Sequence, residues 1–494
     1  MGYGTLILAS SSDYNLYLTD KPQITFFKSH YKRYSNFAKE TVPVYFNSKP
    51  DFGKTVSAII PCDANLLSKV TLYIELPSLN TSKHNIIPDS YKKSRWIEKI
   101  GLGIFSYVDI EIGGIILERH YSDWLNIWYE LTTPIEAKDA YNKSIGNITY
   151  LNDYSNGKNK YTLHIPLNFW FCTDSGLALP LTSLKHHEVK IHVKFNNFTN
   201  CIKQSPTHYF QTDNYVCLFK ENEIITQEVD GITSKGEFIY FDITNQRVYY
   251  NKILGTFQIP TTDNNLYKIT GNDSSFELNP KSNTLIVADE NYFYYGNPVI
   301  ENSYLLVDYI FLDKNEINFF NTTELKYLIP HVRFTLEKEI SNIEYDYDFD
   351  LSNPTKAIFW KAILKSNVEI NDKFNYTTYP LTTGYDNIIE KTKIIANSNN
   401  ITDIDNWEFY YNIQKYLYDM NSTQKGIYSY FFSLNPKENI PSGSLNFSYI
   451  KNKELKLTLN NNINYQNPVY FIIYSITYNL LTIEEGLGGL KFIT

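Results

Sequence analysis

Polar and apolar positions alternate over short runs along most of this chain, and turn residues bound the runs. Lys54 to Ile60 alternates and stops at Pro61, and Val70, Leu72, Ile74 and Leu76 share one face before Pro77. A period of two predicts half-buried strands. Tyr107 to Ile112 and Ile115 to Tyr121 flank Gly113-Gly114, a two-residue hairpin signal. Tyr161 to Phe171, Glu188 to Phe195 and Leu305 to Leu312 read as further strands. From Tyr327 the series restarts: Ala357 to Leu364, Trp407 to Tyr411, Gly426 to Leu434, Leu445 to Ile450, Leu455 to Leu459 and Val469 to Tyr478. Two series of short strands predict two β-sandwich domains in tandem. Between them, Glu237 to Asp242, Arg247 to Tyr250 and Asn291 to Tyr295 alternate within residues 197–302. A structureless loop of that length is unusual, so this segment reads as an inserted, β-rich, surface-exposed subdomain.

Two segments have helical spacing instead. After Asp20 and Pro22, the residues Ile24, Phe27, Tyr31, Tyr34 and Ala38 recur three or four apart, with Lys28, Lys32 and Arg33 off that face. The spacing predicts a short amphipathic helix. It either docks on a domain or serves as a basic arm toward a membrane or an underlying partner. Ser122 is placed to cap a second helix, with Trp124, Ile127, Trp128 and Leu131 on one face and Pro134 as its stop. Both tryptophans read as core anchors.

Composition narrows the class. Aromatic residues make up 16% of the 494, with 43 Tyr and 30 Phe, which excludes global disorder and favours strands. The net charge is -8, and nearly all the basic charge is lysine. That argues against a duplex-binding protein, so no direct nucleic-acid partner is expected. Cys62, Cys172, Cys201 and Cys217 are scattered and make no disulfide framework, which fits a reduced folding compartment. The first residues lack the pattern of a signal peptide or a myristoylation site. The most apolar stretch, Val469 to Leu481, is interrupted by Ser475, Thr477 and Asn479 and is too short and polar to span a bilayer.

Candidate chemistry is sparse. Gly101-Leu102-Gly103 lacks the third glycine of a dinucleotide loop, and the preceding Trp96 to Ile100 reads as helical rather than as a strand. No nucleophile elbow occurs. His186, Glu188 and His192 could converge on one strand face as metal ligands, but an ordinary structural strand is the stronger reading. Glu344, Asp346, Asp348 and Asp350 alternate with Tyr345, Tyr347 and Phe349. That pattern predicts an acidic, solvated or edge-guarding face over a buried aromatic one. Asn142, Asn147, Asn272, Asn321 and Asn446 head glycosylation-type tripeptides, most of which chance explains in so Asn-rich a chain. No catalytic, cofactor-binding or metal-binding residue is expected.

The motifs Asp13 to Thr19, Asp51 to Ser57, Val108 to Gly114, Gly176 to Leu181, Val307 to Asp313, Pro441-Ser442-Gly443 and Gly486 to Leu490, in that order along the chain, resemble those of the major capsid proteins of nucleocytoplasmic large DNA viruses. Asp13 to Thr19, Pro22 to Lys28 and Tyr31 to Ala38 are similar to that family's amino-terminal signature. Asp51 to Ser57, Val108 to Gly114 and His120 to Trp124 follow its first strands and helix. Ile165-Pro166-Leu167, Phe169-Trp170-Phe171, Gly176 to Leu181, His187 to Lys190 and Val307 to Asp313 continue it. Tyr428-Ser429, Leu434, Pro436, Pro441-Ser442-Gly443, Asn446-Phe447-Ser448, Tyr478-Asn479, Leu481 and Gly486 to Leu490 complete it. Two departures stand out. Ile317, Asn318 and Phe319 replace the arginines usual after Asp313 and Glu316, and the insertion is longer than usual.

The resemblance implies an all-β protein: two tandem eight-stranded jelly-roll sandwiches with a β-rich insertion and short helices. The expected division is an arm over 1–25, a first jelly roll over 26–314 interrupted by 197–302, and a second jelly roll with its tail over 315–494. The implied function is a structural, non-enzymatic capsid protein in the virion, assembled in the host cytoplasm. Its implied partners are two further copies in a homotrimer, neighbouring capsomers, and minor capsid proteins and the internal membrane at the base. Phe27, Tyr31, Arg33, Gly113, Gly114, Trp124, Trp128, Pro441, Ser442 and Gly443 are its expected assembly residues. The alternative is a glycan-binding β-sandwich surface protein acting through the insertion.

Overall fold

The computed structural model describes residues 2–10, 13–80, 90–260, 267–281, 287–288, 298–382, 384–421 and 424–492. Asn291 to Tyr295, expected as a strand, lies outside them.

In the first sandwich, one sheet takes β1 (Phe37–Tyr45), β3 (Leu66–Leu76), β7 (Leu179–Pro180) and β9 (Asn302–Leu312) in the order β1-β9-β3-β7. Strand β6 (Tyr161–Pro166) also pairs with β3. The facing sheet takes β2 (Thr55–Ile60), β4 (Phe105–Ile112), β5 (Ile115–Tyr121) and β8 (Val189–Phe195) in the order β2-β8-β4-β5. In each sheet the first strand pairs with a late one, which is the jelly-roll signature.

The second sandwich repeats that order. Strands β10 (Leu325–Phe334), β13 (Pro354–Leu364), β16 (Ile427–Phe431) and β19 (Val469–Glu484) run β10-β19-β13-β16. The facing sheet runs β12-β18-β14-β15, from β12 (Glu344–Asp348), β14 (Ile389–Ala396), β15 (Asn399–Asn400) and β18 (Lys453–Leu459). Strand β11 (Lys338–Ile340) and strand β20 (Leu487–Leu490) add to β19, and β17 (Leu445–Asn446) adds to β13. The fold is an all-β double jelly roll.

The apolar pattern of β13 and β19 shows how the halves meet. Ile358, Trp360, Ala362 and Leu364 face the second sandwich's own core with Val469, Phe471 and Ile473. The alternate residues Ala357, Phe359 and Ile363, with Ile472, Tyr474 and Ile476, join the large core of the first sandwich. This sheet is covered on both faces, so its strands read as continuous apolar runs rather than as alternation. That accounts for the apolar stretch near the chain's end. No helix of the described residues is long and apolar enough to cross a membrane.

Within the expected insertion, residues from His208 to Ala288 build a separate seven-stranded antiparallel sheet. It has its own core of Phe210, Ile225, Phe238, Val248, Tyr250 and Ile269. Ile202–Ser205 anchors it by pairing with Lys93–Trp96 of the first sandwich.

Several local expectations are corrected. Residues 20–36 form no helix and are exposed throughout; two short helices, α1 (Tyr3–Ala9) and α2 (Asp13–Thr19), precede them. Among the described residues no surface covers the apolar positions over 24–38, and an unsupported helix this short is marginal. Phe37 and Ala38 belong instead to β1, paired with β9. Trp407 to Tyr411 is not a strand: Phe409–Ile413 is a π-helical turn continued by Gln414–Leu417. Asn406 starts it, its side-chain oxygen accepting from the Glu408 N–H at 3.0 Å. The strand from Tyr161 ends at Pro166, and Trp170–Thr173 is a helical turn. Trp96 ends a strand and the helical turn is Ile100–Gly103 itself. There Gly101 packs so closely that a Cβ would lie 2.7 Å from the Ile145 carbonyl oxygen.

Candidate functional site

The site the fold builds most firmly is the junction between the two sandwiches. Helix α3 (Ser122–Thr132) leaves β5 and lies across the outer face of the β13–β19 sheet. It begins at Ser122 with no side-chain cap. Trp124 is 2% exposed and stacks on Trp128 at 5.6 Å, with an edge contact to Phe359 at 5.6 Å and a tilted one to Tyr474 at 5.7 Å. Both expected core tryptophans therefore sit between the sandwiches, Trp128 being partly buried against the same cluster.

Charged groups missed by sequence reasoning surround them. Lys361 lies in β13 with its side chain 2% exposed, and its Nζ reaches Asp123 Oδ2 of α3 at 2.6 Å. Lys99 Nζ donates to Asn126 Oδ1 and Glu130 Oε1 at 2.6 Å each, and to Gln424 Oε1 at 2.9 Å. Burial pulls the Lys99 ammonium below the usual lysine range, and the neighbouring Glu130 carboxylate opposes that. Val332 N–H donates to Glu118 Oε1 at 2.7 Å, and His331 Nε2 donates to the Leu117 carbonyl at 2.8 Å. Lys415 is buried with its Nζ 3.9 Å from the Tyr411 ring centroid, and burial lowers it to about 7. A signal for part of this was present: a lysine inside the apolar run Ala357 to Leu364 requires a buried partner.

Gly113 and Gly114 make the β4–β5 turn with φ of +60° and +86°. A Cβ on Gly113 would lie 2.5 Å from the His187 ring, whereas one on Gly114 would meet nothing. His187 in turn accepts from Gly488 N–H at 3.1 Å, and His186 N–H donates to the Gly486 carbonyl at 3.1 Å. The β19–β20 hairpin thus docks on the first sandwich through glycines, where a Cβ on Gly488 would press Leu184 at 2.6 Å. Pro441-Ser442-Gly443 closes the loop after β16: Ser442 accepts from Leu434 N–H and, through its Oγ, from Asn435 N–H. The same loop touches the first sandwich through Asn439 Nδ2 and Thr173 Oγ1 at 3.1 Å. Phe27, Tyr31 and Arg33 are not brought to this junction; they stand exposed in the irregular segment that precedes β1.

The metal candidate does not assemble. His192 Nε2 pairs with Glu111 at 2.8 Å, and Lys190 stands between Glu188 and His192 on the strand face, paired to Glu188 at 3.0 Å. His186 belongs to the hairpin contact, and no group of three metal-ligating residues occurs among the described residues. The acidic series lies on the edge strand β12, with Glu344, Asp346 and Asp348 exposed and Tyr347 and Phe349 buried. A cavity of about 720 Å³ opens where the inserted sheet meets both sandwiches. Its charges pair across it, Lys203 with Asp372 at 3.2 Å and Lys252 with Glu369 at 3.7 Å.

Comparison with known proteins gives a consistent picture. A family model described as "Major capsid protein N-terminus" matches residues 25–242, and one described as "Large eukaryotic DNA virus major capsid protein" matches residues 316–489. "Probable capsid protein 4" of Acanthamoeba polyphaga mimivirus is 32% identical over all of this chain and 99% of its own length. Among solved structures, VP54 of PBCV-1 superposes with a TM-score of 0.65 at 20% identity, covering 95% of this chain and 100% of VP54. The Faustovirus major capsid protein gives 0.67 at 12% identity, covering 96% and 94%.

Proposed function

Because the chain belongs to the family of large eukaryotic DNA virus major capsid proteins, we propose that it builds the wall of an icosahedral virion as a homotrimer. Three chains of two sandwiches supply six similar units, which close into a nearly hexagonal tile that abuts neighbouring capsomers. The observation that carries this reading is the sheet of β13 and β19, buried on both faces. It fuses two jelly rolls into one brick rather than leaving two domains on a hinge. The unit map is the one drawn from the sequence: arm 1–25, first jelly roll 26–314 around the 197–302 insertion, second jelly roll 315–494. The inserted sheet forms a tower on the outer surface, and the arm meets minor capsid proteins and the internal membrane at the base. Assembly takes place in the host cytoplasm, which suits four free cysteines. The work is mechanical and uses neither catalysis nor a cofactor. The glycan-binding alternative gains no support from the relatives, which are capsid proteins.

Light scattering on the purified chain tests the trimer. Three times the 57.7 kDa chain mass is expected at micromolar concentration. A stable monomer in assembly buffer contradicts it.

A further inference from the structure

The arm, with the exposed lead-in over 26–36 that continues it, joins the body where β1 begins, held there by Ser35 Oγ donating to Glu316 Oε1 at 2.7 Å. Before that point thirteen large apolar side chains from Tyr3 to Tyr34 are each more than half exposed. Soluble proteins rarely leave so many large apolar side chains exposed along one short segment without a binding role. Helix α1 contains no charged residue, and from Lys21 to Lys39 there are five lysines and arginines and no carboxylate. The chain as a whole is acidic, with 53 Asp and Glu against 45 Lys and Arg.

We infer that the arm is a peripheral membrane anchor that attaches the chain to an anionic lipid surface. Stable but reversible membrane attachment takes two signals, apolar insertion and basic charge, and the arm supplies both in succession. Leu6-Ile7-Leu8 and Leu16-Tyr17-Leu18 are consecutive, so they point around their helices rather than along one stripe. A single protein groove does not cover such a distribution; fluid hydrocarbon does. Six of the thirteen are aliphatic and add nothing to a nucleic-acid site, where stacking uses aromatic rings. Lys21, Lys28, Lys32 and Arg33 then sit at headgroup level, where each contributes to attraction by an anionic leaflet. The irregular residues 20–36 can extend to about 50 Å, enough to reach a surface below the body. The inference deepens the membrane contact proposed above, and it rests on that reading only for its place in the virion.

Vesicle co-sedimentation of the full chain tests it, with phosphatidylcholine vesicles alone and with phosphatidylserine added. The expected result is binding to the phosphatidylserine vesicles, weakened by high salt. The variant Lys21→Gln/Lys28→Gln/Lys32→Gln/Arg33→Gln is expected to bind at least about a hundredfold more weakly, at roughly fivefold per basic residue. The variant Leu6→Ser/Ile7→Ser/Phe26→Ser/Phe27→Ser is expected to lose retention at high salt. All eight positions are exposed, so the fold is kept. The inference is overturned if the full chain stays in the supernatant, or if the charge variant binds like the parent. It is equally overturned if a single-stranded oligonucleotide displaces the vesicles, or if the arm drives self-association without lipid. Light scattering on the same samples separates the two readings. A trimer that ignores vesicles sinks the anchor alone, and a monomer that binds them sinks the capsid assembly alone.

Discussion

Trp124 and Lys361 carry the junction by opposite means. The indole fills space between the sandwiches, so Trp124→Ala is expected to cost about 3–5 kcal/mol in denaturant unfolding. A loss under about 1 kcal/mol would mean the junction collapses around the gap or is not packed there. Asp123→Ala leaves the Lys361 ammonium buried without its carboxylate and is expected to cost about 3–5 kcal/mol. Adding Lys361→Met should restore most of it, whereas simple additivity would show that the pair is not coupled. Lys415 makes stability depend on pH. Its folded value of about 7 lies below the unfolded value near 10.4, so between those limits the unfolded chain binds the extra proton. Raising pH from 7 toward 10 therefore favours the fold, and below 7 this contribution is constant. Thermal unfolding across that range is expected to show a flatter rise in Tm for Lys415→Met than for the parent, and an identical slope would remove Lys415 from the account. Tryptophan burial was legible from the spacing of α3. The cross-sandwich partners were not, because Asp123 and Lys361 are separated by more than two hundred residues and no local pattern joins them.

At the scale of elements, alternation found most strands where a single face is buried, as in β2, β3 and the β4–β5 hairpin. It failed where a short aromatic run fits either period: Trp407 to Tyr411 holds one polar residue among four aromatics and coils, because the Asn406 side chain caps a turn. Helical spacing failed in turn over 24–38, where no surface of the described residues receives a helix. The insertion's β character was legible, while its contacts with the second sandwich were not. Lys235 Nζ reaches the Pro380 and Leu381 carbonyls at 3.2 Å. Those few polar contacts, beside a separate apolar core, make the sheet an appendage rather than a keystone. Deleting residues 205 to 298 is expected to leave trimers intact in light scattering. Aggregation of the deletion variant would show that the sheet is integral to the brick.

For the whole molecule, the repeated strand order makes each half a jelly roll, and the doubly covered sheet makes the two halves one body. The family was legible from ordered motifs spread over the chain. What some of those motifs do together is visible only in three dimensions: Gly113, His187 and the Gly486–Leu490 tail meet at one contact. Such a body is suited to repetition in a shell. The measurement that bears most directly on this is a low-resolution image of the purified, assembled protein. Hexagonal trimeric tiles with a protrusion from the inserted sheets are predicted, and single two-lobed particles with no threefold association would contradict the account.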